Sequence, residues 1–218
     1  DATGLGEARK VFTNARNTAD RLMRFNGIAA EALYHPPPLA GRYRDDGLGR
    51  YALVVGRLDP WKRMDLAIEG AAAGRFPLVI AGSGPDEARL RKVAARCGAE
   101  VDFRGAVSDE ELLALYAGCG AVLFTPADED YGYIALEAFL SRKPVVTCTD
   151  SGGPLEFVVD GATGRVTAPD GAAVGAAAAG LLAAPVEARR MGEAGFEAAR
   201  VLTWDAVVDA LLRAGGLA

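Results

Sequence analysis

Glu129 and Glu137 stand on either side of Gly132, and their neighbours limit what two carboxylates can do there. The apolar run from Ala121 to Phe124 reads as a buried strand, Pro126 breaks it, Gly132 opens a tight turn, and Ile134 to Leu140 reads as a helix. Glu129 therefore falls in a loop at the carboxyl end of a strand, and Glu137 about one turn into the following helix. The backbone amides of Gly132, Tyr133 and Ile134 are expected to be free donors at a helix N-terminus, where the macrodipole's charge of roughly +0.5 favours a phosphate. Carboxylates are poor phosphate ligands, but they accept hydrogen bonds from paired hydroxyls. A sugar nucleotide carries hydroxyls on both sides of its diphosphate.

A second cluster runs from Gly56 through Arg57, Leu58, Asp59, Pro60 and Trp61 to Lys62 and Arg63, directly after the apolar strand Tyr51 to Val55. Gly56 lets the chain leave the sheet, Arg57 lies at the carboxyl edge, and Lys62 falls near the start of the next helix. Arginine offers a planar fork and lysine a mobile point charge, so together they can grip a diphosphate; an exposed basic loop is the alternative. The turn Ala81-Gly82-Ser83-Gly84-Pro85 also joins a strand to a helix, but Glu87 stands where a dinucleotide fingerprint needs its third glycine. Gly82 and Gly84 are read as turn-shaping, with Pro85 at the first helical position. The pair Gly152-Gly153 is compatible with close approach to a ligand or with a plain turn.

The elements that must position these residues alternate. Tyr51 to Val55 precedes a helix at Asp65 to Ala73, Leu78 to Ala81 precedes Glu87 to Cys97, and Val101 to Phe103 precedes Asp109 to Gly118. Pro144 to Cys148 followed by Pro154 to Val159 extends the series, and Gly164 to Thr167 suits an edge strand. The expected fold is α/β, a Rossmann-like doubly wound parallel sheet with helices on both faces and ligands at the carboxyl ends of its strands. Ser108 and Glu111 form a capping box, and Leu112, Leu115, Tyr116 and Cys119 on that helix are read as core without chemistry. The alanine-rich tail from Ala172 is helical, interrupted by Pro185, with Thr203 capping Trp204 to Leu212. At the other end, Lys10 to Asn14 suits a strand, Asn17 to Phe25 a helix stopped at Asn26-Gly27, and His35 to Pro38 an extended linker. His35, the single histidine, is read as a linker residue rather than a catalytic base.

Composition agrees with this scheme. A chain of 218 residues can bury a single core, and 24 lysines plus arginines against 29 acidic residues give a net charge of −5, which argues against a nucleic-acid footprint. Cys97, Cys119 and Cys148 lack metal-ligand spacing and are read as reduced packing residues. No apolar run approaches the ~20 residues of a membrane span, and Asp1 to Glu7 lacks the basic and apolar regions of a signal peptide. The expected location is cytoplasmic, with peripheral membrane contact left open.

Gly56-Arg57 with Lys62, the Ala-Gly-Ser-Gly-Pro turn, the run Phe103-Arg-Gly-Ala-Val-Ser-Asp-Glu-Glu-Leu112 and the Glu129/Glu137 pair occur in order. Together they resemble the donor-binding half of a retaining GT-B glycosyltransferase of the group-1 family, densely from Tyr51 to Gly164. The resemblance implies that Arg57 and Lys62 hold the diphosphate of a UDP- or GDP-sugar, joined by backbone amides of Gly132, Tyr133 and Ile134, with Gly56 in the same donor-binding set. Glu137 would take the ribose hydroxyls and Glu129 a hydroxyl of the transferred sugar. Arg104 to Val107 would lie along the nucleobase, chiefly through backbone contacts. Asp130 departs from the glycine frequent after the first glutamate, which would alter donor choice or simply face solvent.

The same resemblance implies hexose transfer with retention, no metal and no cofactor, and an acceptor glycan, lipid or small molecule held by a second domain. Residues 1–40 look like the end of that acceptor domain plus a linker, 41–200 like the donor-binding domain, and 201–218 like a helix crossing back. The chain is thus expected to be a truncated form that binds donor without competent transfer. A non-catalytic nucleotide-sugar binding module and a dinucleotide-binding Rossmann domain are the competing readings.

Overall fold

A computed structural model describes residues 2–217. Among these, a six-stranded parallel sheet has the order β5-β4-β3-β6-β7-β8, with β3 at Ala52–Val55, β4 at Leu78–Ala81, β5 at Val101–Gly105, β6 at Ala121–Leu123, β7 at Val145–Cys148 and β8 at Gly164–Thr167. Numbered from β3 as first strand, this is the 3-2-1-4-5-6 order of a dinucleotide-type doubly wound fold. Its direction of winding reverses between β3 and β6, where a crevice opens at the carboxyl ends. The short strands β1 (Phe12–Thr13) and β2 (Glu31–Ala32) form a separate parallel pair.

The helices follow from local chemistry. Helix α5 (Asp109–Gly118) starts where Ser108 accepts from the backbone N–H of Glu111, and α9 (Trp204–Gly215) where Thr203 accepts from Ala206. Helix α2 (Arg16–Asn26) ends on Gly27 in the left-handed region, φ 66°. One core cluster lies under α3 (Met64–Gly74), α4 (Glu87–Cys97) and α7 (Gly171–Ala183) and reaches α8 (Pro185–Ala199). A second joins the opposite sheet face to α5 and α6 (Tyr133–Leu140). Helices α3 and α7 meet backbone to backbone: a Cβ on Gly175 would lie 2.5 Å from the carbonyl oxygen of Gly70.

Two sequence expectations need correction. Pro154 to Val159 forms no α-helix; a single 3-10 turn spans Gly153–Glu156, because Gly152 and Gly153 press against the Glu129 and Asp130 backbone and the Thr163 hydroxyl takes the amide of Val159. Pro85 precedes α4 rather than opening it, and Asp86 occupies the N-cap position. The edge strand Gly164–Thr167 falls where the sequence places it.

Candidate functional site

Two recesses meet at the carboxyl end of the sheet. The larger, about 590 Å³, is walled by the turns after β3, β4 and β5 and includes Gly56, Arg57, Ser83, Pro85, Val107 and Leu112. Its floor is backbone. A Cβ on Gly82 would lie 1.9 Å from the carbonyl oxygen of Gly56, and one on Gly84 2.2 Å from that of Leu58. The two turns are laced by Gly56 N–H to Ala81 O and Leu58 N–H to Ser83 O, each 3.0 Å. Any side chain at Gly82 or Gly84 would therefore push the β3 turn, which carries Arg57, out of place.

The smaller recess, about 310 Å³, is lined by Lys62, Glu129, Gly132, Tyr133 and Ile134, together with Asn14 and Asp130. Ile134 joins the two, since a Cβ on Gly56 would lie 3.5 Å from its side chain. Gly132 has φ 101°, a conformation glycine adopts without strain, and it turns the chain into α6. No acceptor among the described residues meets the backbone N–H of Gly132, Tyr133 or Ile134, so α6 presents these donors and its positive dipole end to the recess. Lys62 donates to the Glu129 carboxylate, both side chains 24% exposed, and its ammonium also sits 6.0 Å from the centre of the Phe124 ring.

Arg57 and Lys62 do not converge on one point. Arg57 is exposed in the larger recess, its only ionic neighbour among the described residues being Asp59 at 4.0 Å. Arg104 stands apart from both recesses: its side chain binds Asp102 at 2.6 Å and approaches Glu111 at 3.6 Å, over a cavity toward the amino ends of the strands. The role the resemblance gives to the segment Arg104 to Val107 is a backbone one, and here the Arg104 side chain is engaged elsewhere while Val107 reaches the larger recess.

Glu137 lines neither recess. Its carboxyl is turned inward and accepts from the Tyr116 hydroxyl at 2.6 Å; burial pushes its pKa up, while Tyr116 and Tyr43 oppose that shift. The Tyr116 phenol is itself fully buried beside a carboxylate and stays protonated, which makes it the donor. The Tyr43 hydroxyl is buried near the same carboxyl but makes no hydrogen bond of good geometry among the described residues, its ring edge-on to Tyr116 at 5.9 Å. The reading of α5 as core without chemistry is thus corrected at two positions: Tyr116 holds Glu137, and Leu112 is a wall of the larger recess.

The acidic residues around Glu129 also find partners. Asp128 and Asp130 make an Asp-x-Asp that sequence reasoning passed over, and both carboxylates pair with Arg21 of α2. Asp130 lies at the edge of the smaller recess with its side chain largely exposed and paired with Arg21. Asn17 donates to Asp128 at 3.1 Å and to the backbone oxygen of Glu129 at 3.0 Å, while Glu156 caps α2 by accepting from the backbone of Arg16 and Asn17 and from the Tyr34 hydroxyl. His35, read as a linker residue, belongs to an aromatic cluster: its ring stacks on Trp204 at 5.5 Å and lies 3.0 Å from the Tyr133 hydroxyl. Asn14 was legible only as a polar residue ending a short strand.

A family model for glycosyl transferases group 1 matches residues 44–198. Among curated relatives, O-antigen chain mannosyltransferase C of Escherichia coli is 28% identical over 147 residues, 66% of this chain and 40% of that protein. The GDP-mannose-dependent alpha-mannosyltransferase of Mycolicibacterium smegmatis is 33% identical over 160 residues, 72% of this chain and 40% of that protein. The chain thus spans about two-fifths of the length of these relatives. Among solved structures, Anabaena Alr3699/HepE in complex with UDP and glucose superposes with a TM-score of 0.84 at 18% identity, over 99% of this chain and 67% of that one. Sucrose-phosphate synthase from Thermosynechococcus elongatus does so with a TM-score of 0.83 at 23% identity, over 97% and 59%. These likenesses identify the fold as a Rossmann-like half of GT-B, and the family match covers every residue named in both recesses except Asn14. The chain belongs to glycosyl transferases group 1.

Proposed function

We propose that the chain is the donor-binding half of a retaining, metal-independent hexosyltransferase and holds a nucleoside diphosphate sugar across the two recesses. The observation that carries this reading is the junction at Gly56 and Ile134, where a backbone-floored groove meets a recess holding a lysine, a carboxylate and the open end of α6. The nucleoside lies along Val107 and Leu112, the diphosphate passes Arg57 and the amides of Gly132 to Ile134, and the hexose reaches Glu129. Lys62 then exchanges Glu129 for a phosphate oxygen, and Glu129 turns to a sugar hydroxyl. Negative charge developing on the leaving diphosphate is met by Arg57, Lys62 and the helix end, which is the electrostatic work a magnesium ion does in other transferases. Glu137 serves the ribose from below, held by Tyr116. With the acceptor side supplied from beyond this chain, the chain alone binds donor without transferring it.

Calorimetric titration with GDP-mannose, UDP-glucose and UDP-N-acetylglucosamine, and with free GDP and UDP, tests the reading. The mannosyltransferases among the relatives put GDP-mannose first. Binding of one sugar nucleotide and its diphosphate supports it. No heat from any of these, with stabilisation instead by nicotinamide or flavin dinucleotides, sinks it.

A further inference from the structure

Arg63 is the third cation of the Gly56 to Arg63 turn, and the donor site uses none of its charge. It has φ 47°, the left-handed region that a non-glycine residue enters at a cost, and it opens α3 without capping it. Its side chain is 20% exposed and reaches across to other loops. Nε donates to Thr125 O at 2.9 Å, Nη2 to Pro126 O at 2.6 Å, and Nη1 and Nη2 each donate to one Asp150 oxygen at 2.7 Å. The return contact is Thr125 Oγ1 to Arg63 O at 3.1 Å.

These bonds tie the turn that carries Lys62 to the loop that leads to Glu129. Asp150 carries the next link, because Asp128 N–H donates to Asp150 O at 3.0 Å and Glu129 N–H to Ser151 O at 2.9 Å. Ala127 N–H donates to Trp61 O at 2.9 Å, tying the same loop to the residue before Lys62. Glu129 is therefore reached from Arg63 on two sides, through Thr125 and Pro126 before it and through Asp150, while Gly153 N–H at 2.7 Å and the Asn17 amide at 3.0 Å hold its carbonyl independently. Lys62 adjoins Arg63 directly, but its own turn is also secured by the Asp59 side chain, which accepts from Trp61 N–H at 3.1 Å.

We propose that Arg63 is a positioning residue that sets the Glu129 carboxylate relative to Lys62, through a bidentate bond to Asp150 and two bonds to the backbone that leads to Glu129. Its guanidinium is a strut between loops and no phosphate ligand, because four of its five N–H groups are already engaged. Only arginine fits, since a lysine ammonium cannot bridge two backbone carbonyls and grip a carboxylate in one plane. Asp150 answers the same geometry, its carboxyl held below the usual carboxylate range by Arg63. This inference rests on the donor reading above.

The test compares the wild-type chain with Arg63→Lys, Asp150→Asn and, as a core truncation away from these loops, Ile68→Val, by titration with GDP-mannose, GDP, UDP-glucose and UDP. Arg63→Lys and Asp150→Asn are expected to weaken whichever sugar nucleotide the wild type binds by about tenfold and its free diphosphate by less than about threefold, a misplacement effect. In a Glu129→Ala background Arg63→Lys should add less than about twofold, because the strut acts through Glu129. Hydrogen exchange at the Asp128 and Glu129 amides should quicken about tenfold in both strut variants and stay unchanged in Ile68→Val. Equal losses for sugar nucleotide and diphosphate, the same loss with and without Glu129, or unchanged exchange overturns the strut. A wild type that binds none of the four probes overturns the donor reading, an outcome distinct from a wild type and an Arg63→Lys variant that bind alike.

Discussion

Two lysine–carboxylate pairs sit at opposite ends of the sheet. At the amino end, Lys143 is wholly buried and donates to both Asp45 and the backbone oxygen of Gly47, with Arg189 3.6 Å from the same carboxylate. At the carboxyl end, Lys62 and Glu129 have only each other as ionic partners among the described residues, are both partly exposed, and line a recess. In the first pair the lysine is shut off from solvent and already donates to two oxygens, so it serves as a fastening. The second can trade partners at small cost. Residue type is the same at both ends; burial and the number of competing partners separate structure from function.

The comparison breaks most easily at the amino end. Lys143→Met strands the half-buried Asp45 carboxylate and an amide oxygen and should lower stability by about 3 kcal/mol, whereas Lys62→Met should change it by less than about 1 kcal/mol, both read from urea unfolding midpoints. Equal losses would mean that the two pairs do the same job. Ligand binding should invert the ranking. Lys62→Met is expected to weaken free GDP or UDP by at least about tenfold, from the loss of one charge-assisted hydrogen bond, whereas Lys143→Met leaves binding to the folded fraction unchanged.

The glutamates sharpen the comparison further. Glu129→Ala should weaken the sugar nucleotide by about tenfold and spare the diphosphate, as loss of one polar contact to the sugar predicts, whereas Glu137→Gln should weaken both. Glu137 also makes a claim on stability. Its folded pKa is raised, so the folded state favours the protonated form, and its contribution is fully present below the unfolded pKa and is lost as pH rises through the folded value. Glu137→Gln should therefore be more stable than wild type at pH 7, with the gap closing below the ordinary carboxyl value of 4.5. A gap that widens toward acid would contradict the inward, desolvated carboxyl. The smallest effect belongs to Asp130→Gly. Its pair with Arg21 is substantially exposed, so stability should fall by less than about 1 kcal/mol and the choice among sugar nucleotides should not change.

Much of the fold was legible because its signals are local. Helix α5 is announced by Ser108 three residues before Glu111, α2 stops at Gly27, and the strands are short apolar runs between turn residues. The recess-forming residues Gly56, Lys62, Glu129 and Gly132 were legible for the same reason, each lying just past the end of a strand. Sequence reasoning missed what side chains do after they leave those positions. Glu137 has a helical address that cannot say whether its carboxyl faces a groove or Tyr116, and nothing local says that Arg104 spends its side chain on Asp102, which leaves its segment the backbone role assigned to it. Arg63 looked like one more cation on a basic turn until its partners were visible.

The sequence by itself determined the alternation of strands and helices, the caps, and the set of turns at which a ligand could bind, because periodicity and capping act over a few neighbouring residues. Only the tertiary structure decided which of those turns meet. Lys62 and Glu129 are 67 residues apart, Arg63 and Asp150 87, and Asp45 and Lys143 98. Contacts at such separations are selected by strand order and core packing, and desolvation then decides which charged pair is locked and which stays open to a ligand.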